Sequence, residues 1–411
     1  MQFSQVIGQK ELKTHLTQMI QQNRLSHALL FLGKEGSGAL SLARAFAQYT
    51  VCERVNGKKT TDNRQQTAEP SLFGDPEEII DATTANDQPT TINQLTDSCG
   101  ECPACKKAAQ LVHPDIHFCY PVISRKAGDK PISTDFINEW REFILKNPYG
   151  NSYDWLQFIG AENKQGNITS EETRDIVRKM SLKSFEAEYK ILIIWMPELL
   201  GKEGNKLLKL IEEPPPNTLF VLVAENEALI LQTILSRTQL IKVPLLHNID
   251  IEAALELREG ISVEKATAVA AISEGNYHEA LQQLQHSEDD WEVLLRDWLN
   301  SILKTGPQAQ LKWIDEISKI GREKQKQFLK YFTHLLQQSL RLKVTGSAVA
   351  NHDFAERLNK LCSIAQQQAI VTELDQAAYY IERNANAKML FHALTIKLYH
   401  IISNKSVILM Q

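Results

Sequence analysis

Apolar residues fall along this chain in blocks whose spacing separates strands from helices. Ala28-Leu29-Leu30-Phe31-Leu32 is an unbroken apolar run that predicts a buried strand, and Leu40-Ser41-Leu42-Ala43-Arg44-Ala45-Phe46-Ala47 after it predicts a helix. Leu12, Leu16, Met19 and Ile20 mark an earlier helix. Ile116 to Tyr120, Tyr189 to Ile194 and Thr218 to Val223 read as further strands, and Ile168, Ile176, Val177 and Met180 as one helix. A second helix runs through Asn205-Lys206-Leu207-Leu208-Lys209-Leu210-Ile211-Glu212-Glu213 and must stop at Pro214-Pro215-Pro216, which cannot continue it. Between Ser124 and Asn163, where Trp140, Tyr149 and Trp155 lie, the pattern predicts one helix and loops. Asp250 to Leu284 and Trp291 to Leu409 are almost wholly helical in pattern.

The stretch Glu53 to Ser98 is different: polar, rich in Thr, Asp, Asn and Gln, and without periodicity, it predicts a surface insertion with at most a short helix from Pro76 to Ile80. A length of 411 residues implies two to three domains, and 43% hydrophobic residues suffice for substantial cores. The formal charge of -5 gives no global electrostatic footprint for nucleic acid, so any DNA contact must be local. No signal peptide is evident and no apolar run approaches the ~20 residues of a membrane helix, so a soluble, cytoplasmic protein without membrane partners is expected.

Two clusters carry candidate chemistry. Glycines at 33, 36 and 38 between the first strand and its helix have the outline of a phosphate-binding loop, G-x-x-x-x-G-K-[ST]. Counted from Gly33 to Gly38, however, the lysine position is Ala39 and the hydroxyl position is Leu40. Lys34 comes too early, and Ser41 is one residue late, roughly 100° around the helix. The second cluster is Cys99-Gly100-Glu101-Cys102-Pro103-Ala104-Cys105, which with Cys52 supplies four thiolates for a structural zinc ion; unliganded thiols are the alternative. Cys119 reads as a strand thiol and Cys362 as a core residue inside a late helix.

Four stretches resemble one family, the AAA+ ATPase subunits of the bacterial replicative clamp loader. They are Phe3-Ser4-Gln5-Val6-Ile7-Gly8-Gln9 with Arg24-Leu25-Ser26-His27-Ala28-Leu29-Leu30, the Asn205 to Val223 block around Glu212-Glu213-Pro214-Pro215, Ser236-Arg237-Thr238, and Ile272 to Leu281. The cysteine module followed by His113-Pro114-Asp115 is similar to the family's zinc module. The resemblance implies an α/β AAA+ P-loop domain over 1–244 with a zinc module and insertion at about 52–112. A small helical lid domain over 245–288 and an all-α oligomerisation domain over 289–411 would follow.

Against the family pattern the chain has lost its ATPase chemistry. The strand that would end in Asp-Glu ends in Trp195-Met196, Asn226 is a weak match for the γ-phosphate sensor, and His278 replaces the second-sensor arginine, where it is expected to face solvent. Within the family these losses match the delta-prime kind of subunit. The resemblance then implies a non-hydrolysing component of the DNA polymerase III holoenzyme in a hetero-pentameric ring with tau/gamma and delta subunits, reaching the sliding clamp and primed DNA through the assembly. It implies structural zinc on Cys52, Cys99, Cys102 and Cys105, no ATP hydrolysis at Gly33, Gly36, Gly38, Ala39 and Leu40, and an arginine finger, Arg237, supported by Ser236 and acting in trans. Two other readings are a divergent tau/gamma-like subunit that keeps nucleotide on its loop amides, and a zinc-dependent nucleic-acid adaptor outside replication.

Overall fold

The computed structural model describes residues 1–56, 96–126, 128–161, 164, 166–285, 288–345, 352–382 and 385–403. The expected short helix at Pro76 to Ile80 lies outside them. The chain divides into two compact units, Met1–Glu279 and Ala280–Gln411.

The first unit is built on a parallel five-stranded sheet, ordered β2-β3-β4-β1-β5, of β1 (Ala28–Gly33), β2 (Ile116–Cys119), β3 (Lys190–Trp195), β4 (Thr218–Ala224) and β5 (Gln239–Val243). Parallel strands require crossovers, and here helices cover both faces, so the central strands are apolar at successive rather than alternate positions once past Lys190 and Thr218, which open β3 and β4. The two-residue period then sorts those side chains. Leu29, Phe31, Ile191, Ile193, Val221 and Ile241 face a core that contains α1 (Lys10–Gln21), α2 (Ala39–Val51), α3 (Pro103–Ala109), α4 (Ile137–Lys146) and α5 (Ser152–Phe158). Leu30, Leu192, Ile194, Phe220 and Leu222 face the opposite core with α6 (Ser170–Met180), α7 (Leu208–Glu212) and α8 (Gln232–Leu235). α2 is buried along its whole length, and its one charge, Arg44, donates from Nη1 to the Ile144 carbonyl near the C-terminus of α4, 3.4 Å away. α9 (Asn248–Glu259), α10 (Val263–Ile272) and the start of α11 (Tyr277–Gln285) complete this unit.

Several expectations need correction. The block before the prolines is not one α-helix: Pro197–Leu207 is 3-10 in character with a break at Gly201, and only Leu208–Glu212 is α-helical. The stretch from Ser124 to Asn163 holds two α-helices, α4 and α5, rather than one, because Trp140 and Trp155 each need a helical face to enter the same aromatic cluster, where their rings meet edge-on at 5.2 Å.

The second unit is helical throughout its described residues: α12 (Glu288–Asn300), a π-helical turn at Ser301–Thr305, α13 (Pro307–Ile317), α14 (Arg322–Thr345), α15 (His352–Leu361), α16 (Ile364–Glu382) and α17 (Ala387–Ser403). Its core centres on Trp298 stacked on Trp313 at 4.6 Å, with Phe328, Phe332 and Phe391 around them. Cys362 is buried here, but in the short link between α15 and α16 rather than inside a helix. α17 buries Phe391, Leu394, Leu398 and Ile402 and leaves Met389, Ile396 and Tyr399 exposed.

Candidate functional site: a closed glycine loop, a four-thiol cluster and an anchored arginine

In a parallel sheet all strands end at one edge, and ligands bind there. The carboxyl ends of β1, β3 and β4 therefore bring together the glycine loop, Trp195-Met196 and Glu225-Asn226. Gly38 caps α2 in the left-handed region, and Gly36 is left-handed as well. Neither could carry a side chain, because the loop is covered at both points. A Cβ on Gly36 would fall 1.8 Å from Asn276 Oδ1, and one on Gly38 would fall 2.7 Å from Tyr149 Cε1. Under this cover Gly36, Ser37, Gly38, Ala39 and Leu40 are all buried, while Lys34 points to solvent.

The covering groups are themselves tied down. The Tyr149 hydroxyl accepts from Ile7 N at 2.8 Å, and its ring meets Tyr277 edge-on at 5.0 Å. Burial pushes the Tyr149 phenol up to about 12, so it stays neutral. Asn276 Oδ1 also accepts from Glu279 N at 3.0 Å, capping α11, and the Gly36 carbonyl accepts from Tyr277 N. Ser41 turns into the core and donates to the Pro148 carbonyl at 2.6 Å.

His278 does not face solvent as expected. It is buried, with Nε2 at 3.3 Å from Asp154 Oδ2 and 3.7 Å from Glu35 Oε1, because α11 lies against the loop and α5 and the two acids give the ring polar partners there.

The acid-pair positions hold no acid. Trp195 is buried 5.2 Å from Trp140, in the aromatic cluster. Glu198, two residues after Met196, accepts from Glu225 N at 2.6 Å and Asn226 N at 2.9 Å, and so joins the ends of β3 and β4. Burial pushes that carboxyl up despite both donors. The Asn226 side chain accepts from Ala228 N and caps a 3-10 turn, so it serves local backbone.

Cys52, at the end of α2, meets Cys99, Cys102 and Cys105, with all four sulfurs within 4.8 Å of one another. The Cys99 and Cys105 sulfurs are 3.8 Å apart. A tetrahedral ion with Zn–S of about 2.3 Å sets sulfurs about 3.8 Å apart, so the cluster fits zinc. Cys99 N, Cys102 N and Cys105 N each point at the sulfur of Cys52, Cys99 and Cys102 respectively, at 3.4 Å, which favours thiolates. The Cys105 thiol, hydrogen-bonded to the Cys52 sulfur, draws the Cys52 pKa well down and is itself pushed up. Later in the chain, the Asp115 carboxylate of the His-Pro-Asp sequence accepts from Phe185 N, Glu186 N and Ala187 N at 2.5–2.8 Å and fixes the turn that leads into β3.

Arg237 follows α8. Its Nε donates to Glu212, the last residue of α7, and its Nη1 donates to the Thr233 carbonyl at 2.8 Å and to Ser236 Oγ at 3.1 Å. Arg237 and Glu212 are both partly exposed.

The family model described as DNA polymerase III, delta subunit matches residues 8–70 and 64–247, more than half of the chain. This chain is a member of the DNA polymerase III clamp-loader family. Among curated clamp-loader proteins it is 25% identical to the tau/gamma subunit of Haemophilus influenzae over 57% of this chain and 22% of that one. It is 24% identical to the tau subunit of Bacillus subtilis over 82% and 46%, and 27% identical to the delta' subunit of H. influenzae over 34% and 31%. The chain thus spans less than half the length of these relatives. Among the groups this clamp-loader chain uses to close its loop, Asn276 was missed in the sequence reading, although the N-x-x-E capping pattern it forms with Glu279 was a signal that could have found it. Tyr149 and Glu198 had no local signal, since Tyr149 acts on residues more than 100 positions away.

Proposed function

We propose that this chain is a non-hydrolysing, delta-prime-type subunit of the DNA polymerase III clamp loader, scaffolding the ring and lending Arg237 to the ATP site of a neighbouring tau/gamma subunit as the sliding clamp is loaded onto primed DNA. The observation that carries the reading is the closed loop: Gly36 to Leu40 lie buried under Tyr149 and Asn276, with Ala39, Leu40, Trp195 and Met196 where charge and metal ligands would be needed. The zinc module, on Cys52, Cys99, Cys102 and Cys105, is structural. The exposed stripe Met389, Ile396 and Tyr399 on α17 suits packing against the helical domains of sister subunits, including delta.

A second reading, a tau/gamma-like subunit that holds nucleotide, is favoured by the similarity to tau and tau/gamma proteins. Titrating the purified chain with a fluorescent ATP analogue separates the two. The first expects no binding and no turnover; hydrolysis by purified protein that disappears when Gly38 is changed overturns it. Arg237→Ala in a reconstituted loader tests the trans-acting role. One finger is worth roughly 10³- to 10⁵-fold at its own site, while other interfaces keep theirs, so the expected result is a partial fall in ATP turnover and clamp loading. Unchanged rates would leave a purely scaffolding subunit.

A further inference from the structure

We propose that Glu212 is a positioning residue for Arg237, gripping one edge of its guanidinium so that the other edge is presented outward. The inference rests on the trans-acting reading of Arg237 and extends it to a residue no motif assigns to that reaction. A guanidinium has five N–H donors in a rigid fork. Three are taken: Nε–H by the Glu212 carboxylate, and the two Nη1 hydrogens by the Thr233 carbonyl and Ser236 Oγ. The two Nη2 hydrogens have no partner among the described residues. The side chain is thus clamped along Nε and Nη1 and keeps a pair of donors for an incoming anion.

The grip is not there to stabilise the fold. Both groups are more than a third exposed, and pairs of that kind contribute little to stability. Its effect is on orientation. Arginine is among the most rotamer-rich side chains, and an unheld one must be ordered each time it meets the transferring phosphoryl group. Glu212 is well placed to remove that freedom. It ends α7, and the three prolines after Glu213 stiffen the chain that leads into β4, so the carboxylate is held by rigid backbone on both sides. The Glu-Glu-Pro-Pro block and the Ser-Arg sequence, 25 residues apart, are therefore two halves of one device.

The test uses the full-length chain, alone and assembled with its partner subunits, as wild type, Glu212→Ala, Glu212→Gln and Arg237→Ala. In the isolated chain, the Arg237 Nε–H resonance, assigned by its loss in Arg237→Ala, should exchange slowly with water in wild type, quickly in Glu212→Ala, and at an intermediate rate in Glu212→Gln, which keeps an acceptor oxygen. At the one ATP site that Arg237 serves, Glu212→Ala should lower kcat roughly three- to tenfold, the scale of re-ordering one long side chain, so that turnover by the assembled loader falls part of the way to the Arg237→Ala level with KM unchanged. Glu212→Gln should recover part of that loss. A Glu212→Ala chain with a protected Nε–H, or with unchanged kcat while Arg237→Ala is slow, overturns the positioning role. Unchanged kcat in Arg237→Ala itself overturns the underlying trans-acting reading, whatever the resonance shows.

Discussion

Replacing Tyr149 with phenylalanine removes a single oxygen and keeps the ring that covers Gly38. The lost hydroxyl is the acceptor for Ile7 N, 2.8 Å away, in a place where both residues are buried. A backbone N–H left there without a partner costs about 1–3 kcal/mol. For a unit the size of Met1–Glu279, each kcal/mol lowers Tm by about 2–4 °C, so the variant should melt roughly 2–12 °C below wild type. Tyr149→Ala should lose about 3–5 kcal/mol, because the buried ring goes as well. Differential scanning calorimetry reads both shifts and shows which transition moves. The same two proteins then go into the nucleotide titration: Tyr149→Phe should remain inert, since the ring still fills the space over Gly38. A phenylalanine variant that melts with wild type would show that the Ile7 bond contributes nothing. One that gains nucleotide binding would show that the ring does not close the loop.

Three further outcomes follow from other parts of the chain. Elemental analysis should find one zinc per chain, and Cys102→Ser should lose most of it and destabilise the first unit, because a tetrahedral structural site needs all four thiolates; full metal content in that variant would show a different ligand set. Burial alone would push the Asp115 carboxyl up, but its three backbone donors outweigh burial and hold it below its usual value. A depressed folded pKa means stability that is complete above the unfolded value of 3.8 and is lost as pH falls through the lower folded value, so Asp115→Asn should be about 2 kcal/mol less stable at pH 7 with a flatter acid-unfolding curve; parallel curves for the two proteins would refute this. Finally, Met389→Asp with Ile396→Asp should leave the melting of the chain unchanged, since both side chains are exposed, while weakening co-elution with tau/gamma and delta subunits on gel filtration; intact co-elution would place the assembly surface elsewhere.

Much of this protein is determined locally. The apolar runs fix β1, β3 and β4 because a central parallel strand must be apolar on both faces, and the three prolines end α7 because they cannot donate to a helix. The missing lysine, hydroxyl and acid pair were legible because they are absences at counted positions, and three of the four clustered cysteines were legible from their C-x2-C-x2-C spacing. What the sequence left open depends on residues that meet only after folding. Trp195 reads as a lost acid, yet its partner Trp140 is what makes it core. His278 reads as a surface residue until the first turn of α11, within the first unit, packs on the loop and surrounds it with Asp154 and Glu35. The loop itself reads as a possible anion site with free amides; Tyr149 and Asn276, brought from more than 100 and more than 200 residues away, decide that it is closed. Local patterns record what each segment must bury or avoid, whereas the cover over Gly36 and Gly38 and the grip of Glu212 on Arg237 are contacts between segments, and only the packing of the folded unit selects them.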